Sequence, residues 1–581
     1  MSDLYNKASL VMNPQLVDTG KVYSIKPEDR KGDFTFTRSS AATRVNADGL
    51  VEKETQNLLL QSNQFDTTWG NSNTTETGGQ ADKDGGTDAW LLTKSAGIGY
   101  LIQSLTPTGV QTASIYAKAG DSDWVYLQAV GTSTTSCYFD LVNGTTGVTG
   151  ALIDKSIESV GNGWYRCSIT SNQTLSSFRI YPAEANSLSA TSGSVYIQDA
   201  QVEQGLVARD YIETTTASVE GGITDNVPRL DYTDSSCPAL LLEPQRRNLV
   251  DSSEYLGSLV GVTASYVDSP EGLNNATRLT ENTATSQHFS PINASGIVLG
   301  QTYALSFYIR KGTYNNVLVY TQSSKMSSTA SITFSTETIS VGGAVAGSPF
   351  MNSVGNGWYR CGWVGTAIAS GTMDIYAAIV NLNPSVGDGT SYIDYYGFQV
   401  EDNGAGGGTS YATSYIPTYG TSVTRVQDSF YGNNYQANNI FGTNSGSIFF
   451  DFGDDFTLFD GVSNSSPIDR MQFVDVTSYG GGYFRFRGGE TNHYLQLVNM
   501  NAGDTTLTFG SQTKYCICWD SNGVNFYGNG ALIDSTTIGI VPSINRIESG
   551  LSGTQRETRI KEILFFTTKL SSQEAIDLTT I

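Results

Sequence analysis

The string SVGNGWYRC occurs twice, at Ser159–Cys167 and again at Ser353–Cys361, 194 residues apart. Identity over positions that include Trp, Tyr, Arg and Cys does not arise by chance, so the chain carries a duplicated unit. Other landmarks keep the order and nearly the spacing. Asn57-Leu58 answers Asn248-Leu249, IYAKAG at Ile115–Gly120 answers FYIRKG at Phe307–Gly312, and QVE at Gln201–Glu203 answers QVE at Gln399–Glu401, at offsets of 191, 192 and 198 residues. Collinear landmarks at this period describe two copies of one domain, not a short-period solenoid.

The residues between the landmarks indicate what that domain is made of. Tyr, Phe, Thr and Val recur in period-two alternation, broken by Gly, Asn, Asp and Ser turns, which is the pattern of half-buried strands. With 62 Gly, 32 Tyr and only 15% charged residues, an all-β protein is expected. At 581 residues it is too long for one core. The net charge of −22, with no basic cluster, argues against nucleic-acid binding. No apolar run is long enough to insert in a membrane. The first residues lack the basic and apolar regions of a secretion signal. Six cysteines in this length are no disulfide scaffold. Cys167 and Cys361 fall at equivalent places in the repeats, and Cys516 and Cys518 share one strand face, so all four are read as packing residues.

The chain divides into a lead segment (1–50), a first repeat (51–216), a connector with Pro228, Pro238 and Pro244 (217–247), a second repeat (248–428) and an unrelated last unit (429–581). Within the lead segment, Phe34–Glu52 reads as strand, turn at Asn46–Gly49, strand. So short a segment rarely folds alone. It is expected to order only against a partner, another protein or a neighbouring copy of this chain, as an attachment or capping element. The one clear helix start is at Ser571 or Ser572, with Glu574 at capping-box spacing from Ser571.

WYR after a Gly-Asn-Gly turn, then YI-x-D-x-Q-V-E and SYIPT, resembles the carbohydrate-binding-module-like jelly rolls of bacteriophage tail-fibre and other virion proteins. FTRSSAATRVNADGLVE and LLLEPQRRNL resemble recurrent strings of the same proteins. In the last unit, VNFYGNGALI and RIKEILFFTTKLSSQEAIDL are similar to the closing hairpin, strand and helix of concanavalin A-like, laminin-G-type lectin sandwiches. The resemblance implies tandem jelly-roll β-sandwiches followed by a concanavalin A-like sandwich. It further implies a virion location, a homotrimer bound to other virion proteins, and a non-enzymatic tail or head fibre subunit that attaches to a bacterial surface glycan. A purely architectural collar or capsid-decoration protein and a polysaccharide depolymerase are the alternatives.

Candidate site residues follow from side-chain chemistry. Trp164 and Trp358 are equivalent and read as core anchors. Trp69, Trp90 and Trp124 belong to the first repeat alone, lie near turns, and are the candidates for stacking on a sugar ring. Asp199 and Glu203, with Glu401 repeating the second position, are the candidate ligands of a structural calcium, which jelly-roll modules of this kind often hold; such an ion needs six to eight oxygens. Catalysis has little to work with. His288 and His493 are the only histidines, and no HExxH, CxxC pair or Walker loop occurs. The carboxylate pairs Asp454-Asp455, Asp121/Asp123 and Asp199/Glu203 could serve a glycosidase by residue type only.

Overall fold

The computed structural model describes residues 2–580 apart from 234, 344, 380–383, 436, 443–444, 453–467, 475–482, 489–492, 499–504, 510–512, 538–545 and 550–556. The protein is all-β: the described residues are 52% strand and 3% helix, in antiparallel sheets with no closed barrel among them. No described helix is long and apolar enough to cross a membrane.

The two repeats share one strand plan. In the first, a six-stranded sheet runs in the order Thr74–Gln80, Ala89–Lys94, Gly193–Gln204, Val110–Ala119, Trp164–Asn172, Asp154–Gly161. The second repeats it as Val262–Val267, Ala276–Glu281, Tyr392–Asp402, Thr302–Arg310, Trp358–Thr366, Phe350–Ser353. The facing sheet of the first repeat runs Gly70–Ser72, Tyr100–Ser104, Leu175–Ala183, Trp124–Gly131, Thr134–Asp140, Thr145–Thr149. Its counterpart lacks only the first strand: Phe289–Ile297, Gly371–Ala378, Asn316–Thr321, Ser328–Thr333, Thr338–Gly343. Register agrees as well. Trp164 lies opposite Lys118 and Trp358 opposite Arg310, while Glu203 lies opposite Thr112 and Glu401 opposite Ala304. Both tryptophans are 1% exposed. Cys167 and Cys361 are buried in the two cores.

Each repeat buries one side of each sheet. Along Trp124–Gly131, Val125, Leu127 and Ala129 enter the core while Trp124, Tyr126 and Gln128 point away, as strand alternation requires.

The last unit is a third sandwich, and it is built from both ends of the chain. One sheet runs Leu10–Met12, Glu562–Phe566, Gly446–Asp451, Lys514–Asp520, Gly523–Gly528, Ala531–Thr536. The other begins Val17–Asp18, Lys21–Val22, Phe34–Thr37, Ser429–Gly432, Arg546–Ser549 and continues through Ile468–Val474 to Thr505–Phe509. The lead segment therefore does not wait for a partner. Leu10, Met12, Val22, Phe34 and Phe36 are buried in one cluster with Phe430, Ile448, Phe450, Trp519 and Phe565. Alternation in FTFT supplies the apolar face, and the C-terminal strands supply the core that so short a segment lacks. Arg44–Val45 and Val51–Glu52 form the expected hairpin, its turn closed by Gly49 N–H to the Asn46 carbonyl. The connector joins the same unit, because Ala239–Leu242 pairs with Thr558–Ile560.

Two short helices cap this sandwich. Ser572–Thr579 starts at Ser571, whose hydroxyl and the Glu574 carboxylate complete the capping box. Ser2–Lys7, which no sequence signal announced, lies beside it through Lys7–Glu574. Cys516 and Cys518 sit beneath, buried, with sulfurs 3.6 Å apart.

Candidate functional site

The recurrent motifs form a structural clasp. In both repeats the valine of QVE enters the core while the glutamine and glutamate grip the segment that closes the domain. Gln201 donates to the carbonyls of Arg209 and Asp210 and accepts from the Ile212 amide; Gln399 does the same with Thr413, Ser414 and Ile416. Glu203 accepts from the Arg209 amide at 2.9 Å and Glu401 from the Thr413 amide at 2.8 Å. Arg166 and Arg360, from the two WYRC strings, donate to the carbonyls of Arg209 and Thr413. Asn57 and Asn248 complete the clasp from the domain entry, each donating to two carbonyls and accepting two amides.

The proposed calcium ligands are therefore committed elsewhere. Glu203 and Glu401 are hydrogen-bonded within separate domains, and burial pushes both carboxyls up. Asp199 does not alternate onto the Glu203 face in the simple way an unbroken strand would allow. It has φ 54° at a bulge in its strand, so Val195 and Ile197 precede it in the core while Ala200 and Val202 follow. The equivalent residue is Gly397, also at positive φ, and both repeats carry the bulge at this point. Asp199 pairs with Lys83 at 3.1 Å, and burial pushes its carboxyl up to about 6. Among the described residues no three His, Cys, Asp or Glu side chains gather as a metal site.

Two of the nominated tryptophans, Trp69 and Trp90, are packing residues. Trp69 is 6% exposed, stands 5.2 Å from Phe65 and donates to the Gln61 carbonyl. Trp90 packs edge-on against the same phenylalanine and donates to the Asn63 carbonyl. Trp124 is half-buried but lies on the outward face of its strand. His288 is buried, with Nδ1 2.6 Å from the Gly261 carbonyl and Nε2 3.1 Å from that of Ser385; it ties loops together. Asp121 and Asp123 are exposed on a turn. The side chains of His493, Asp454 and Asp455 lie outside the described residues.

The outward face bearing Trp124 carries a row of tyrosines, of which Tyr100, Tyr126 and Tyr138 are half-buried and Tyr181 is buried between them. Tyr138, Tyr126 and Tyr181 occupy paired positions on adjacent strands, with Tyr100 on the next. Successive ring centroids are 4.2, 5.3 and 5.1 Å apart. Gln128 links the Tyr126 and Tyr181 hydroxyls, and the Arg179 guanidinium lies 5.1 Å over Tyr100. On the corresponding sheet of the second repeat a cleft of about 380 Å³ is lined by aromatic, amide and hydroxyl side chains, including Phe289, Tyr320, Gln322 and Tyr376. These tyrosines were not singled out from the sequence. The available signal was alternation: Trp124, Tyr126 and Gln128 fall out of phase with Val125 and Leu127.

Two buried ionic clusters lie where the segments meet. In one, Lys53 at the start of the first repeat contacts Glu254 and Glu271 of the second repeat, and Arg209 of the first repeat lies 3.0 Å from Glu271. Tyr396 and Tyr415 donate to Glu254 at 3.2 and 3.1 Å. Burial draws the Lys53 ammonium down, as does Arg209, but the two glutamates outweigh them and hold it above the usual lysine value. In the other, Asp428 binds Arg38 at 3.0 Å and also Arg229, while Glu243 binds Arg229 at 2.5 Å and Arg425 at 2.7 Å. Burial would raise the Glu243 carboxyl, yet Arg425 and Arg229 hold it far below the usual range. The charged side chains of both clusters are buried and join segments distant in the chain. No protein-family model matches the chain, and no curated protein compared with it matches.

Proposed function

We propose that this chain is a non-enzymatic virion structural protein, a tail or head fibre subunit, that presents β-sandwich modules to glycans on a bacterial surface. The observation that supports this reading is the tyrosine row of the first repeat with Trp124, Gln128 and Arg179 beside it, answered by the cleft at Tyr320 and Tyr376. Aromatic faces flanked by amides and a cation suit sugar rings, which offer apolar C–H faces edged by hydroxyls. In a homotrimer such weak contacts would multiply into firm attachment.

Glycan-array binding by the purified full-length chain tests the reading. Binding that falls at least tenfold in Tyr126→Ala or Tyr320→Ala, with melting unchanged, supports it. No binding to host surface polysaccharide would favour an architectural collar or decoration role. Oligosaccharide released from that polysaccharide would favour a depolymerase. Gold-labelled antibody on intact particles checks the virion location.

A further inference from the structure

The cluster around Lys53 contains a second arrangement beyond its ion pairs. Lys53 Nζ lies 2.6 Å from Glu271 Oε1, and Asn275 Nδ2 donates to the same oxygen at 3.1 Å. One carboxylate oxygen thus bridges an amine and a carboxamide. Glu254 bridges them again, touching Lys53 through Oε1 and accepting from Asn275 Nδ2 at 3.5 Å through Oε2. Lys53 is 3% exposed and Asn275 0%. Asn275 Oδ1 is buried with no hydrogen-bond partner, a position few buried polar atoms occupy. Tyr396 and Tyr415 hydroxyls close the site around Glu254.

We propose that Lys53 and Asn275 become joined by an intramolecular isopeptide bond, formed autocatalytically with Glu271 as the proton carrier. At rest Lys53 and Arg209 balance Glu254 and Glu271, and the lysine is charged. The reaction starts from the minor state in which a glutamate holds the lysine's proton. The neutral Nζ then attacks Asn275 Cγ, forming a new C–N bond and placing negative charge on Oδ1. A turn of the still-planar carboxamide about Cβ–Cγ precedes the attack and brings Oδ1 to the protonated carboxyl, which donates to it as the charge develops. The Cγ–Nδ2 bond breaks, and Nδ2 leaves as ammonia with the protons released by Lys53. An ammonium and a carboxamide become a secondary amide and an ammonium ion, with no change in oxidation state and no further reactant. Enforced proximity in a dry site supplies the rate that the same groups lack in water.

Mass spectrometry of the denatured full-length protein tests this. The wild-type chain is expected to weigh one ammonia less than its sequence, to resist trypsin after Lys53, and to yield a branched peptide joining Lys53 to Asn275. Lys53→Met and Asn275→Ala are expected at full sequence mass, and Glu271→Gln to lose the branched peptide. The wild-type digest decides alone if a variant fails to fold. Unlinked peptides ending at Lys53 and containing intact Asn275, after prolonged incubation of the folded protein, would overturn the proposal. So would an ammonia loss that maps elsewhere.

Discussion

Asn57 and Asn248 each satisfy both ends of a fully buried carboxamide, four hydrogen bonds apiece. Removing one leaves two carbonyls and two amides without partners, at about 1–3 kcal/mol for a buried group that cannot recruit water. Asn248→Ala is therefore expected to destabilise the second repeat by about 3 kcal/mol or more, read by urea unfolding, with the Val250 and Val400 amides losing protection from exchange. Asp199 gives a pH test. Its folded carboxyl sits near 6, above the ordinary 3.8. Its favourable contribution is thus complete below about 4 and lost as pH rises through 6. The stability difference between Asp199→Asn and wild type should grow in the variant's favour across that window, by at most about 3 kcal/mol. A flat difference would show that Lys83 already compensates the charge. The motif residues themselves were legible as a pair of repeats because the clasp needs the same side chains twice. Their role was not, since QVE and an ordinary acidic strand look alike until the closing segment folds back onto them.

At the scale of elements, the strands of the repeats were readable from alternation and from Gly-Asn-Gly turns, and the C-terminal helix from its capping box. The docking of the lead segment was not, because strands as short as Leu10–Met12 and Phe34–Thr37 carry no signal about which distant sheet accepts them. Their burial changes what a truncation does. From the sequence, losing this segment should leave the rest folded. In the structure, deleting residues 1–37 strips an edge strand from one sheet and three strands from the other, and uncovers Ile448, Phe450 and Phe565. Each buried Phe or Leu lost is worth about 2 kcal/mol. The truncated chain is expected to expose its last unit to protease while both repeats stay resistant. Resistance throughout would mean that the C-terminal strands make a sufficient sandwich alone.

At the scale of the whole molecule, the sandwich made from both chain ends encloses the repeats in sequence, and the buried arginine cluster ties the parts together. Arg38 comes from the lead segment, Arg229 and Glu243 from the connector, and Arg425 and Asp428 from the end of the second repeat. Arg229 is 0% exposed and contacts both acids. Arg229→Met would leave Asp428 and Glu243 each with one remaining arginine, in a site that water does not reach. Breaking a buried pair in this way costs about 3–5 kcal/mol, whereas the exposed Lys31–Asp29 pair should be silent, because solvent screens it. The cluster holds segments from three parts of the chain, so the loss should fall on their coupling as well as on total stability. Scanning calorimetry of the wild type is expected to show the second repeat and the terminal sandwich melting together, and Arg229→Met to separate them into two transitions. Lys31→Ala should keep the wild-type profile. If Arg229→Met only lowers a single transition, the units are coupled through their apolar contacts, and the charges serve local packing alone.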